Sequence, residues 1–310
     1  METRKLIKFG NSSYVISLPG KWIKSNNLNK GDLIYCKENG QKELLLSSEI
    51  KKEVYEEKEI VVRIDGKTER DLAREIVSAY INNFKTVRMI GKEIEGKATK
   101  IIGIIHNLIA LEIVDQTSES IVAKDFLNMK QISIIQLIRR MDVLTRNMIA
   151  DSKNCTKTLA YDSLIRRDKD VNRLAVLALR TINFLLVNPH DDFDSISLFH
   201  FYIVYDNLER IADDTKRVAR YLIKADASKS EMERIKDIYD AIDKAFQDTM
   251  RAYYLKDAQL AKKTSKYIRE SIMKKCYEME TKTKNKNCAI LAEKFKTMAK
   301  HVKTIDRINY

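Results

Sequence analysis

The stretch "FYIVYDNLERIADDTKRVARYL", residues 201–222, decides how this chain is read. At about 100° per residue, Val204, Leu208, Ile211, Val218 and Leu222 share one stripe, the seam of a core-facing helix. Asp206, Glu209 and Asp213 fall on a second stripe nearly opposite, at spacings i, i+3 and i+7. Two readings of that stripe stand side by side. As a solvated face it is laced with ion pairs, because Asp206 is correctly spaced for Arg210 and Asp213 for Lys216 or Arg217. As a cation site it stacks three carboxylates over adjacent turns, where they repel one another unless a cation compensates them. Oxygen-only ligands of that kind suit hard cations or iron better than thiophilic zinc.

Outward from this helix, everything from about Gln131 onward keeps the helical period, with breaks near Pro189, at "KADASKS" and at "TKTKNKN". Five or six long helices arranged as antiparallel bundles fit that pattern. Upstream, residues 59–128 alternate. "EIVVRI" reads as a strand, and Thr68 with Asp71 makes a capping box for a helix running to about Phe84. "TVRMI" is a second strand, Lys97 to Ala110 a second helix, and "EIVDQ" and "SIVAK" pair as a hairpin around Thr117-Ser118. The expectation for 58–129 is a small βαβαββ α/β domain, a linker or dimerisation module. Residues 1–50 hold short strand-like runs, "KLIKFG", "YVISLP", "DLIYCK" and "KELLLSS". Turn signals sit at Gly10-Asn11, Asn29-Lys30-Gly31 and Asn39-Gly40. The charged "EIKKEVYEEK" then reads as a linker.

Composition agrees with a mainly α, multidomain protein. Of 310 residues, 44% are hydrophobic, enough for real cores, and eight glycines and two prolines punctuate sparsely. The net charge of +13 gathers at the two ends. Residues 1–25 carry five Lys/Arg against one acid, and residues 255–310 carry fifteen against six. Those are the regions that would meet anionic partners. Cys36, Cys155, Cys276 and Cys288 are scattered, without a CxxC, and read as reduced thiols rather than a disulfide framework or a zinc site. "METRKLIKFGNSS" has basic charge with no apolar core behind it, and Ile101–Val114 is too short to span a bilayer. A cytoplasmic protein without membrane insertion is expected.

Two families resemble parts of the chain. "KLIKFGNSSYVISLPGKWIKSNNLNKGDLIY" resembles the AbrB/MazE/SpoVT DNA-binding domains through Gly10-Asn11-Ser12, "VISLP" to Pro19, Trp22, and Leu28 with Lys30-Gly31-Asp32-Leu33. That resemblance implies a dimeric swapped-hairpin β-barrel over 1–50 whose arms lie on double-stranded DNA. It implies contacts from Arg4, Lys5, Lys8 and Lys21, with Asn11 near the turn. The physical reading agrees in kind: a unit with so few apolar residues gains by dimerising, and paired basic arms suit salt-dependent backbone binding. The other reading is a dimerisation module that meets a protein.

Residues 131–310 resemble PhoU, a family of phosphate-uptake regulators built from two three-helix bundles, here about 131–224 and 228–310. "IRRMDVLTRNMIAD", "LAYDSLIRRDKDVNRLAVLALRTI" and "YDNLERIADDTKRVARYL" look like its first three helices. "LKDAQLAKKTSKYIRESI" repeats the second-helix pattern. The third helix carries the family's acidic metal motif, so the resemblance implies that Asp206, Glu209 and Asp213 bind a metal such as iron, magnesium or another hard cation. Asp168 and Asp170, on the preceding helix, are candidate additional ligands and equally at home as surface acids. The last helix departs from the family, with Lys296, Lys300, His301 and Lys303 where acids are expected and only Asp306 nearby. That basic end instead suits nucleic acid, phosphate or an acidic partner. The combination looks like a fusion common in archaea.

Other signals fail. "GKEIEGKAT", residues 91–99, sits where a phosphate loop would, but the pattern needs Ser or Thr after Gly-Lys and position 98 is Ala. His106, His190, His200 and His301 are isolated, and no nucleophile–base pair can be argued, so no enzymatic activity is expected. The preferred expectation is a homodimeric or higher-oligomeric DNA-binding transcriptional regulator of phosphate uptake whose helical part senses metal, phosphate status or a partner. The alternative is a PhoU-type signalling adaptor that docks on a phosphate transporter or sensor kinase without binding DNA.

Overall fold

The computed structural model describes residues 3–38, 43–49, 58–153, 158–188 and 192–309. The linker, Asn39-Gly40, Cys155, Pro189 and His190 lie outside them. The chain forms two compact units, Met1–Glu56 and Glu57–Tyr310.

In the first unit, β1 (Ile7–Phe9) pairs antiparallel with β2 (Ser13–Val15) around Gly10, whose φ of 68° is the left-handed conformation glycine accepts without strain. A short helix α1 (Gly20–Ser25) follows, then a second antiparallel pair, β3 (Tyr35–Glu38) with β4 (Leu44–Ser47). The two hairpins form separate two-stranded sheets, with no closed barrel among the described residues. None of the described side chains of this unit is buried, and Leu6, Phe9, Tyr14 and Leu33 are all more than 60% exposed. Two isolated hairpins cannot bury a core of their own.

The second unit begins with the βαβαββ module. Thr68 caps α2 (Glu69–Ile81) by accepting from the Asp71 N–H. The strands β5 (Glu59–Arg63), β6 (Thr86–Ile90), β7 (Leu111–Gln116) and β8 (Ser120–Asp125) form one sheet in the order β5-β6-β8-β7. β5 and β6 run parallel, and the other neighbours run antiparallel. α3 spans Ile94–His106, three residues earlier than the sequence spacing predicts. Ile94 anchors its start in the core, and Ala110, expected inside the helix, has a positive φ that belongs to the turn beyond it. Both helices pack their apolar sides on the sheet through residues such as Ile76, Tyr80, Ile101 and Ile105.

Six long helical segments follow: α4 (Ile134–Ser152), α5 (Thr158–Val187), α6 (Ser195–Lys224), α7 (Lys229–Leu255), α8 (Ala258–Tyr267) running into α9 (Met273–Lys282), and α10 (Lys286–Asp306). A π turn at Ile268–Ile272 joins α8 to α9 without breaking the rod. α6 is the hub, packed on α4, α5 and α10. The predicted seam is the observed one, since Val204, Leu208, Ile211, Val218 and Leu222 are all buried.

The α/β module and the helices belong to one unit, and α5 shows why. Its Val176 packs against the module's core. Its Arg180, wholly buried, reaches into the module and donates to both oxygens of the buried Asp125 at 3.1 and 2.7 Å and to Asn83 at 3.0 Å. The guanidinium also lies 4.2 Å from the Tyr80 ring centre, a cation–π contact.

Candidate functional site

Because α6 is enclosed by three helices, its acidic stripe is half-buried rather than an outer face. The Asp206 and Asp213 side chains are 27% and 25% exposed. Arg210 donates to Asp206 at 2.8 Å, while Lys216 and Arg217 reach Asp213 at 3.0 and 2.6 Å. Lys216 also donates to the buried Asp168 of α5 at 2.6 Å. Burial works against the Lys216 charge, yet these two carboxylates hold its ammonium above the ordinary lysine value. Asp170 stands apart on α5, 4.0 Å from Arg173.

Glu209, in the middle of the stripe, makes no hydrogen bond or ion pair among the described residues. Burial, then the neighbouring Asp213, pushes its carboxyl above the ordinary glutamate value. Protein cations thus already neutralise both ends of the stripe. Among the described residues no three His, Cys, Asp or Glu side chains converge as a metal cradle. Arg210 holds the Asp206 oxygens, and Lys216 and Arg217 hold those of Asp213, in the places a cation shared with Glu209 would use.

The structure adds a residue that periodicity passes over. Asp214, one position beyond the stripe, is buried where α6 meets α10. It lies 3.8 Å from Arg217, 4.0 Å from Lys294 and 3.9 Å from His301, and the His301 Nδ1 bonds Asn207 Oδ1 at 3.1 Å. Asn207 and Asp214 stand seven residues apart, the signal that could have found this second seam. Burial first of all lowers the His301 pKa, so its imidazole favours the neutral form. Lys296 faces the other way. It is buried against α9, bonded to Glu280 at 2.9 Å, paired with Glu293, and 4.7 Å from the Tyr277 ring centre. The final helix therefore presents less free basic surface than its sequence suggests.

Arg4, Lys5, Lys8, Asn11 and Lys21 are all exposed in the first unit, on and around the β1–β2 hairpin and at the start of α1.

The loop at Gly91 shows why the phosphate pattern fails. The Asp65 Oδ1 accepts the Glu93 N–H at 3.0 Å, so a carboxylate of the chain fills the place of a bound anion. That hydrogen bond above all holds the Asp65 carboxyl below its ordinary value. Lys97 donates to the carbonyls of Ile64 and Lys67 instead of to a phosphate.

No protein-family model and no curated protein sequence matches the chain. Among solved structures, the crystal structure of PhoU from Pseudomonas aeruginosa is similar over 57% of this chain and 93% of its own, with a TM-score of 0.50 and 15% identity. The helical body has the PhoU fold. Among the described residues no helix of this PhoU-like chain is long and apolar enough to cross a membrane.

Proposed function

We propose that this protein is a regulator of phosphate uptake, a PhoU-type signalling adaptor that docks its helical body on a phosphate transporter or its sensor kinase. The observation that carries this reading is the shared fold of the six-helix body. The body also has the properties of an adaptor. It is an assembly of long helices in which Asp206, Asp213 and Asp168 are paired with Arg210, Lys216 and Arg217 of the chain itself. No step of this reading runs through a metal. The test is phosphate uptake in cells depleted of the protein. Uptake that stays high when external phosphate is plentiful supports the reading, and uptake that still falls normally contradicts it.

A second activity, duplex DNA binding by the first unit, is favoured by one observation: that unit leaves its apolar residues exposed beside Arg4, Lys5, Lys8 and Lys21. A second copy would cover the apolar surface and bring two basic arms together, as the AbrB-type resemblance implies. Duplex binding that weakens steeply with salt and collapses when Arg4, Lys5 and Lys8 become Ala supports it; no binding even at low salt excludes it.

A further inference from the structure

The exposed side of α8 and its continuation into α9 is a one-sided charged surface. Residues 258–275 carry Lys262, Lys263, Lys266, Arg269, Lys274 and Lys275 against a single acid, Glu270. All but the half-buried Lys275 are exposed. Glu270 is shared between Arg269 at 3.1 Å and Lys266 at 3.9 Å, while Lys262, Lys263 and Lys274 make no ion pair among the described residues. We propose that this face is a contact surface for the phosphate backbone of double-stranded nucleic acid.

Three physical points favour that partner. The row from Lys262 to Lys274 spans twelve residue steps, about 18 Å of helix rise at ~1.5 Å each. Along a duplex that length passes roughly five phosphates per strand, at about 3.4 Å of axis each. The row is also rigid. Asp257 caps α8 through the Leu260 N–H at 2.9 Å, and Ala261, Ile268, Ile272 and Cys276 anchor the opposite side in the core. Finally, with those apolar residues committed to the core, the face has no large exposed hydrophobic side chain between 258 and 276. A helix that lies in a membrane surface needs such a face to insert. The inference does not depend on the arms of the first unit, because it uses none of their residues.

The test titrates salt against duplex binding by the full chain. Lys262, Lys263 and Lys274 are exchanged together for Gln. The control exchanges Lys229, Lys236 and Lys244, three exposed lysines of α7, for an equal change of net charge. Each lost phosphate contact lowers the slope of log K against log salt by about 0.9, so the α8–α9 triple variant loses about 2.7 and the control stays near the parent. Circular dichroism confirms that both variants remain folded. Equal slopes for the two variants, or no duplex binding by the parent chain at low salt, overturn the proposal. So does a triple variant that keeps its duplex slope but no longer sediments with phosphatidylserine vesicles, which assigns the face to a membrane instead. If the Arg4, Lys5 and Lys8 variant loses duplex binding while the α8–α9 variant keeps its full slope, this proposal fails and the reading of the first unit survives.

Discussion

Exchanging Arg180 for Met removes a side chain that ties α5 to the α/β module through a wholly buried charge pair. Both the Arg180 and Asp125 side chains are 0% exposed. Burial alone would raise the Asp125 carboxyl, but the hydrogen bonds from Arg180 and Lys85 outweigh it and hold the group below its ordinary value. In the variant, Asp125 keeps Lys85 at 2.8 Å and the Leu127 N–H at 3.1 Å. Breaking a buried pair costs about 3–5 kcal/mol, and the surviving lysine places the expected loss near 3 kcal/mol. Because the folded Asp125 pKa is depressed, the stability it provides is present above the unfolded value near ~3.9. That stability is lost as pH falls through the folded value. The double variant Asp125→Asn/Arg180→Met removes both charges and recovers at least half of the loss. The assay is urea unfolding followed by far-ultraviolet circular dichroism, with hydrogen exchange of α2 and β8 as the local readout. A loss below about 1 kcal/mol, or a double variant no better than the sum of its parts, refutes the reasoning.

Further outcomes follow from single groups. Asp306 is wholly buried with one oxygen unpartnered, and burial pushes its carboxyl up to about 7 against the hydroxyls of Thr249 and Ser265. The fold keeps this proton while the unfolded chain releases it near ~3.9, so stability falls as pH rises from about 4 to about 7. Asp306→Asn removes a difference on the order of 2–3 kcal/mol between pH ~5 and ~8, and melting curves of parent and variant that run parallel across that range contradict this. Glu209→Gln raises the melting temperature at neutral pH, where burial and the neighbouring Asp213 disfavour the carboxylate; a lower melting temperature in the variant, with divalent cation stabilising the parent and not the variant, shows instead that Glu209 is a metal ligand. Gly91→Ala places a Cβ 2.5 Å from Asp65 Oδ1 at a φ of +154°, and destabilises by roughly 2 kcal/mol or more. Gly96→Ala, in α3 with open space around it, stabilises by roughly 0.5–1 kcal/mol, so thermal shifts of opposite sign are the check.

Much of the second unit is legible because its information is local and periodic. The seam from Val204 to Leu222, the cap at Thr68 and the strands "EIVVRI" and "TVRMI" each follow from a local rule that the tertiary structure leaves in force. The α6 stripe was legible as a pattern but not as an environment. Periodicity places Asp206, Glu209 and Asp213 opposite the seam, whereas their half-burial depends on how the neighbouring helices close around α6, with Asp168 of α5 brought to Lys216 beside Asp213. The direction of Lys296 escaped for a similar reason: Glu293 stands three residues earlier on α10, but Glu280, which draws the side chain toward α9, comes from the preceding helix. Arg180 stands in "LAVLALRTINFLLV" as one charge in an apolar run, a flag that something must neutralise it. Only the fold shows that the partner is Asp125, fifty-five residues earlier. In the first unit, strands and turns can be read, but Leu6, Phe9 and Leu33 stay exposed among the described residues, so no local rule finds them a core.

If the PhoU-like body acts as an adaptor in phosphate signalling, capture of its partner measures that role most directly. The intact protein, crosslinked in its own cells and purified under phosphate-rich and phosphate-starved conditions, is predicted to carry a phosphate-transporter subunit or its sensor kinase, in amounts that change with phosphate supply. Recovery of neither under either condition, from cells where both are present, would contradict the account.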